Sequence, residues 1–469
     1  MTNMLENARA YETKGEAIRN RPVYHFSSPI GWLNDPNGFS CFNGEYHLFF
    51  QYHPYSVKWG PMHWGHCKTR DFVSWERLPA ALAPDRKFDD LGCFSGTAIE
   101  YEGKHVIMYT GVSANGKLSR QEQCLAVGDG LNYEKLARNP VIGEDALPPG
   151  SNIADFRDPK IWRDGDFFYV AAASADLSGK AQIALFRHGP DLFSAEKWVY
   201  IGALAKSENM WECPDLFPIG GQHALIASLM DMKADGFTFP SKYGTVFFTG
   251  NFQKNTGIFS KDSANPIDWG LDFYAPQTLQ ASDGRRIMIA WIQSWDNCLT
   301  PEGAQWSGMM SFPRELELKG GLLIQKPVRE LDSRHVGTVL ASLALDGNKA
   351  ELPGVSGQCA DMAVEAFGEF SISLAGNHAR ISFEDGCVKF ERRTNEPNTA
   401  KVKAKSKDKV KLRILLDTCS VEVFVDDGEK TMTSLLFAPP EAQGIEFEAK
   451  GRAKLEVAMS HIGETRVGE

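Results

Sequence analysis

The chain has 469 residues, 43% hydrophobic and 23% charged, with a formal net charge of -10. That length exceeds one ordinary core and predicts two domains, one of them large if it is a closed β architecture. The acidic balance excludes a phosphate backbone or an anionic membrane as the natural partner, because both are bound by basic faces, and favours a neutral small molecule.

Residues 3–20 read as a short polar N-terminal helix or extension. After it, Gly-punctuated strand patterns take over, and one unit recurs. Asp35-Pro36-Asn37-Gly38 runs on to FNGEYHLFFQY, and Phe94-Ser95-Gly96-Thr97 to YEGKHVIMYTG. Arg157-Asp158-Pro159-Lys160, Glu212-Cys213-Pro214-Asp215 and Tyr274-Ala275-Pro276-Gln277 open three more. Each unit is a polar cluster, a strand, a Gly-containing turn and a second apolar strand, repeating about every 60 residues. A lone hairpin cannot bury its faces, so strand-only repeats of this length predict blades stacked around an axis, here five. Equivalent blades would bring Asp35, Asp158 and Glu212 to equivalent places near that axis, in one funnel.

After Pro327 the pattern changes to alternating segments such as EFSISLAG and KVKLRILLDTCSVEVFVDDG, which predict an antiparallel β-sandwich. The expected organisation is therefore all-β: an N-terminal extension (1–20), a five-bladed β-propeller (21–327), a linker (328–337) and a C-terminal β-sandwich (338–469). Lys401, Lys403, Lys405, Lys407, Lys409 and Lys411 alternate with period two, placing six cations on one side of an extended segment, which reads as a solvated edge in preference to an anion site.

Hydrolysis of a glycosidic bond needs two carboxyl groups flanking it. Asp35 precedes a Pro and a Gly that predict a tight turn beside an aromatic wall. Asp158 follows Arg157, which would keep its carboxylate ionised. Glu212 stands between Trp211 and Cys213, neighbours that would help a general acid hold its proton. His63-Trp64-Gly65-His66 offers two imidazoles but no third ligand nearby, so no metal and no cofactor is expected. Nine scattered cysteines contain no C-x-x-C and suggest neither a disulfide framework nor a zinc site. With a charged N-terminus and no apolar run long enough to span a bilayer, a reducing cytoplasmic location is expected.

Taken in order, HFSSP, WLNDPNG, FFQYHP, HWGH, FSGTA, FRDP, WECPDLF, YAPQT and PRELE make the chain, from about His25 to about Ile462, resemble glycoside hydrolase family 32, the invertases, sucrose-6-phosphate hydrolases and fructan exohydrolases. The resemblance implies a five-bladed propeller with a C-terminal sandwich. It also implies a retaining β-fructofuranosidase acting on sucrose, sucrose 6-phosphate or short fructo-oligosaccharides, with Asp35 as nucleophile, Glu212 as acid/base and Asp158 as transition-state stabiliser. Asn34, Gln51, Trp59, Phe94, Ser95 and Arg157 match positions lining the fructose subsite. Trp32 and Cys213 belong to the same substrate-binding set, and Tyr274 and Trp295 are placed near the rim. Lys58, Lys117, Arg120 and Lys242 are loop candidates for a substrate phosphate. An inverting five-bladed glycosidase of the arabinanase or xylosidase type and a catalytically inactive fructan-binding protein stay open as alternatives, and the chain could be a monomer or a homodimer.

Overall fold

In a computed structural model, which describes residues 3–116, 118–233, 241–254, 256–394 and 396–463, five antiparallel sheets of four or five strands stand side by side in chain order. Their innermost strands are Gly31–Phe42, Gly92–Tyr101, Ser151–Asp164, Trp211–Ile219 and Tyr274–Gln280. Each packs against the next, and the fifth against the first, so the blades close a ring about one axis. The recurring hairpin is the inner half of each blade, and two further strands extend the blade outward. Trp306–Ser307, arriving from blade five, pairs in parallel with Gly31 and Trp32 of blade one and latches the ring.

The polar clusters do not precede the inner strands as turns; they lie inside them. Each inner strand carries one extra residue relative to its partner, between Leu33 and Pro36, Phe94 and Gly96, Arg157 and Lys160, Glu212 and Asp215, and Tyr274 and Gln277. These are β-bulges, which bend a strand and re-aim a side chain. In blades three to five the residue before the proline has a left-handed backbone: φ is 61° at Asp158, 49° at Cys213 and 51° at Ala275. Proline disfavours the right-handed helical region for its predecessor, and such non-glycine conformations cost about 1–3 kcal/mol each, held here by the flanking ladder. The tight turn expected at Asp35-Pro36-Asn37-Gly38 is thus a doubly bulged strand, with a second register shift between Asn37 and Ser40. Gly38 sits there at φ 53°, where a Cβ would stand 2.6 Å from the Phe49 ring.

The N-terminal helix is Asn3–Glu12, continued by a 3-10 turn at Thr13–Ala17, shorter than the segment 3–20. It buries Leu5 and Ala8 against Ala80 and Ala83 of blade one.

The last blade strand ends at Pro327, Arg329–Arg334 forms a 3-10 turn, and His335–Asp346 begins a sandwich of two six-stranded sheets around one apolar core. The six alternating lysines do not share one side of one segment. Asn398–Lys403 belongs to one sheet and Lys409–Asp417 to the other, so the chain turns between Lys403 and Lys409. Lys405 pairs with Glu429, and Lys411 with Glu365 and Asp427.

Buried charges join the sandwich to the propeller. His25 sits between Asp417 and Glu422, 2.8 Å from each, while Arg314 meets Glu422 and, at 3.1 Å, Asp268. Arg392 holds Asp272 at 2.8 Å. Burial alone would discharge His25, but hydrogen bonds and charge from the two carboxylates outweigh it and raise its pKa to about 9, so the imidazole stays protonated. No described helix is long and apolar enough to cross a membrane.

Candidate active site

The bulges decide what reaches the axis. Aligned on the residue before the proline, Asp35, Asp158, Cys213 and Ala275 are equivalent, with Ser95 in blade two. Four of these five meet. Asp35 Oδ2 accepts a hydrogen bond from Ser95 Oγ at 2.6 Å and from Cys213 Sγ at 3.4 Å, and Cys213 also faces Asp158 Oδ2, with Sγ at 3.6 Å and its backbone N–H donating at 3.1 Å. Glu212 is therefore not the repeat equivalent of the two aspartates. It stands one residue earlier, where blade three has Arg157 and blade five has Tyr274.

That offset corrects the surroundings expected for Glu212. Strand alternation sends Trp211 back into the core between blades three and four, against Phe248, and Cys213 toward the aspartates. The glutamate oxygens meet its repeat equivalents instead: Arg157 Nε donates to Oε1 at 3.1 Å and Tyr274 O–H to Oε2 at 2.8 Å. Tyr274 accordingly is not a rim residue; it is fully buried behind Glu212.

The pairing expected between Arg157 and Asp158 also fails. With Asp158 in its left-handed bulge, Arg157 turns to Glu212, to Asp155 at 3.2 Å and to Gln121 at 3.3 Å. Asp158 is not held ionised. Burial and then the charge of Glu212 push its pKa up to about 7 against the pull of Arg157, with Asp35 adding to the rise. Burial and Glu212 likewise raise Asp35 to about 6, offset in part by donors from Ser95, Asn34 and Cys213. Three acids thus face one another with Asp35 and Asp158 largely shielded from water, so Asp35 retains its proton below about pH 6 and Asp158 below about pH 7.

Around them, Trp32 Nε1 donates to Asn34 Oδ1 at 2.8 Å, and Asn34 Nδ2 to Asp35 Oδ1 at 3.1 Å, so the asparagine is oriented before it orients the acid. Gln51 is buried and donates to the Cys93 carbonyl, next to Phe94. At the mouth, Trp59 is 49% exposed with its ring edge-on to Phe94, and Trp295 stacks on Trp32 at 6.3 Å between ring centroids. Contacts thus link each of these side chains, directly or through a neighbouring residue, to the three acids.

The sequence reading missed Gln121, Thr110 and Met230. Thr110 Oγ1 accepts the Asp158 N–H at 2.9 Å, and Met230 Sδ lies 3.4 Å from Arg157. Thr110 lies on the second strand of blade two, Gln121 on its third, and Met230 follows the second strand of blade four, all away from the repeat-opening clusters that singled out the acids. Of the phosphate candidates, Arg120 is engaged by Glu122 and Glu144. Lys58 adjoins Trp59, the backbone N–H of Lys242 donates to Asp296, and Lys117 lies outside the described residues. His66 bonds to His47 at 2.9 Å and His63 Nδ1 to the Pro61 carbonyl, so the two imidazoles of HWGH have separate partners.

Comparison with known proteins agrees with this architecture. The model of the glycosyl hydrolases family 32 N-terminal domain matches residues 25–327, and that of the family 32 C-terminal domain residues 346–462. The chain is 34% identical over 463 residues to a sucrose-6-phosphate hydrolase of Escherichia coli, covering 94% of each, and 34% identical over 449 residues to a raffinose invertase of the same organism, covering 91% of this chain and 92% of the relative. A solved family 32 β-fructofuranosidase of Bombyx mori superposes with a TM-score of 0.85 at 30% identity, over 99% of this chain and 98% of that one. Bulged inner strands, converging carboxylates and a sandwich welded to the propeller by buried charge accord with these matches: the chain belongs to glycoside hydrolase family 32.

Proposed function

We propose that this chain is a retaining β-fructofuranosidase in which Asp35 attacks the anomeric carbon of a terminal fructosyl unit while Glu212 protonates the departing glycosidic oxygen. The observation that carries the reading is the meeting of Asp35, Asp158 and Glu212 in one pocket, with Cys213 touching both aspartates and Arg157 and Tyr274 fixing the glutamate. Asp35 is placed for attack by Ser95 and Asn34 and is ionised above about pH 6. Glu212, oriented by Arg157 and Tyr274, supplies the proton to the leaving group. Attack gives a fructosyl ester on Asp35 through an oxocarbenium-like transition state; Glu212 then deprotonates water, and its attack on the anomeric carbon frees fructose. Asp158, held by the Cys213 N–H, accepts hydrogen bonds from the fructose hydroxyls, and these tighten as charge develops on the ring.

The relatives' names support sucrose-like β-fructosides as substrate, phosphorylated or not. Nine free cysteines support a reducing compartment, the cytoplasm. The reading is tested by NMR of the first-formed sugar: retention delivers β-fructofuranose, whereas an α product would assign the site to an inverting enzyme. Comparing kcat/KM for sucrose, its 6-phosphate and kestose fixes the aglycone, since a phosphate met by a lysine at the mouth gives a strong preference.

A further inference from the structure

All five inner strands continue past the acids, and at the opposite end of the axis their second halves enclose another cavity of about 520 Å³. Its wall mixes apolar side chains, among them Phe39, Leu216, Phe217, Leu279, Trp162 and Phe252, with polar and charged ones, Lys160 and Arg286 included.

These two cations share one carboxylate. Lys160 Nζ has three protons; one goes to Asp215 Oδ2 at 3.1 Å and one to the Thr278 carbonyl at 3.0 Å. Among the described residues the third has no partner. Arg286 stacks its guanidinium 4.8 Å over the Phe217 ring, reaches Thr278 Oγ1 only at 3.5 Å, has a buried Nε with no partner, and forms no ion pair among the described residues. Asp215 does not line the cavity. At the lip, Asp164 is paired with Lys254, and Glu100 and Arg163 oppose each other in sign, so the rim does not cancel the charge at the base. Burial lowers the pKa of both Lys160 and Arg286, in each case against the pull of Asp215, as expected for cations short of anionic charge. Buried charges in proteins are ordinarily paired, and a guanidinium beside an ammonium at the end of an aromatic-walled cup is complementary to a tetrahedral oxyanion.

We propose that this axial cavity is a second ligand site, binding a phosphate group between Lys160 and Arg286 at the end of the propeller opposite the acids. The phosphate is inorganic phosphate or the headgroup of a small phosphate monoester, whose carbon skeleton would lie against Trp162 and Phe252. Lys160 follows Asp158 by two residues on the same strand, so an occupant there is joined to the acid pocket by covalent backbone.

The test is titration calorimetry of the full chain at constant ionic strength with inorganic phosphate and, in a second arm, glucose 6-phosphate, for the wild type, Arg286→Gln and Lys160→Met. Arg286 has no ion pair to lose, so Arg286→Gln is expected to fold and to keep the basal hydrolysis rate. The expected result is saturable one-to-one binding that weakens about tenfold or more in both variants, the loss of one charge-assisted contact each. Tighter binding of glucose 6-phosphate than of inorganic phosphate would assign the Trp162 wall to the sugar; equal binding would assign the site to free phosphate. No saturable heat in the wild type, or binding unchanged by Arg286→Gln, would overturn the proposal, the latter by locating the anion elsewhere.

Discussion

Replacing Asp158 by asparagine should stabilise this protein at alkaline pH while disabling it. Asp158 is 5% exposed, and its pKa rises from an ordinary 3.8 to about 7, with burial the largest cause and Glu212 the next. A group whose folded pKa is raised contributes stability that is complete below its unfolded pKa and is lost as pH climbs through its folded pKa. At about 1.4 kcal/mol per pKa unit, the rise from 3.8 to about 7 amounts to about 4 kcal/mol by pH 8, an upper bound because Asp35 and Glu212 relax once one of the three acids is gone. Asparagine is nearly isosteric, its carbonyl can still accept the Cys213 N–H, and it carries no charge to bury. Urea unfolding of wild type and Asp158→Asn at pH 4 and pH 8 should show near-equal stability at the first and a more stable variant, by about 2–4 kcal/mol, at the second. Equal differences at both values, or a variant less stable at pH 8, would refute the placement of three mutually repelling acids in one dry pocket.

Tyr274→Phe removes one of the two donors on Glu212 without changing the packing, and kcat should fall about 10- to 100-fold with Tm unchanged, as judged by steady-state kinetics alongside calorimetry. The acid limb of kcat/KM should lie near pH 6, where Asp35 gains its proton, and a limb near pH 4 would contradict the burial assigned to it. His25 has the opposite sense to a buried neutral histidine: its pKa is raised from 6.5 to about 9, so the junction it holds is fully stabilised below pH 6.5 and weakens by about 3 kcal/mol as pH rises through 9. His25→Gln should flatten the fall of Tm over that range. In blade one His47 and in blade two His105 are lowered by burial to about 4 and about 3, so their contribution is complete above pH 6.5 and is lost as pH falls toward 4. Unfolding free energies at pH 6.5 and 4.5 should differ less in His105→Gln than in wild type.

The five-fold repeat, the propeller and the sandwich were legible in the sequence, because apolar alternation and glycine turns report directly which face of a strand is buried. The three acids were legible because they sit where the repeat is most polar. What sequence neighbours suggested about Asp158 and Glu212 was misleading. Adjacent residues on a strand point to opposite faces, so Trp211 and Cys213 say little about Glu212, and a bulge at Asp158 turns Arg157 toward blade four. The partners that matter arrive from other blades: Tyr274 for Glu212, Ser95 for Asp35, Thr110 for the backbone of Asp158. The alternating lysines misled for a related reason, since a period of two continues across a turn in the sequence although the strand does not.

The central claim is a covalent bond between fructose and Asp35. Glu212→Gln, given an aryl β-fructofuranoside whose leaving group needs no proton, should form the ester quickly and hydrolyse it slowly, so that acid quenching, proteolysis and mass spectrometry find one hexosyl unit on the peptide containing Asp35. A hexosyl adduct on the Asp158 peptide, or turnover with no adduct on any peptide, would contradict it.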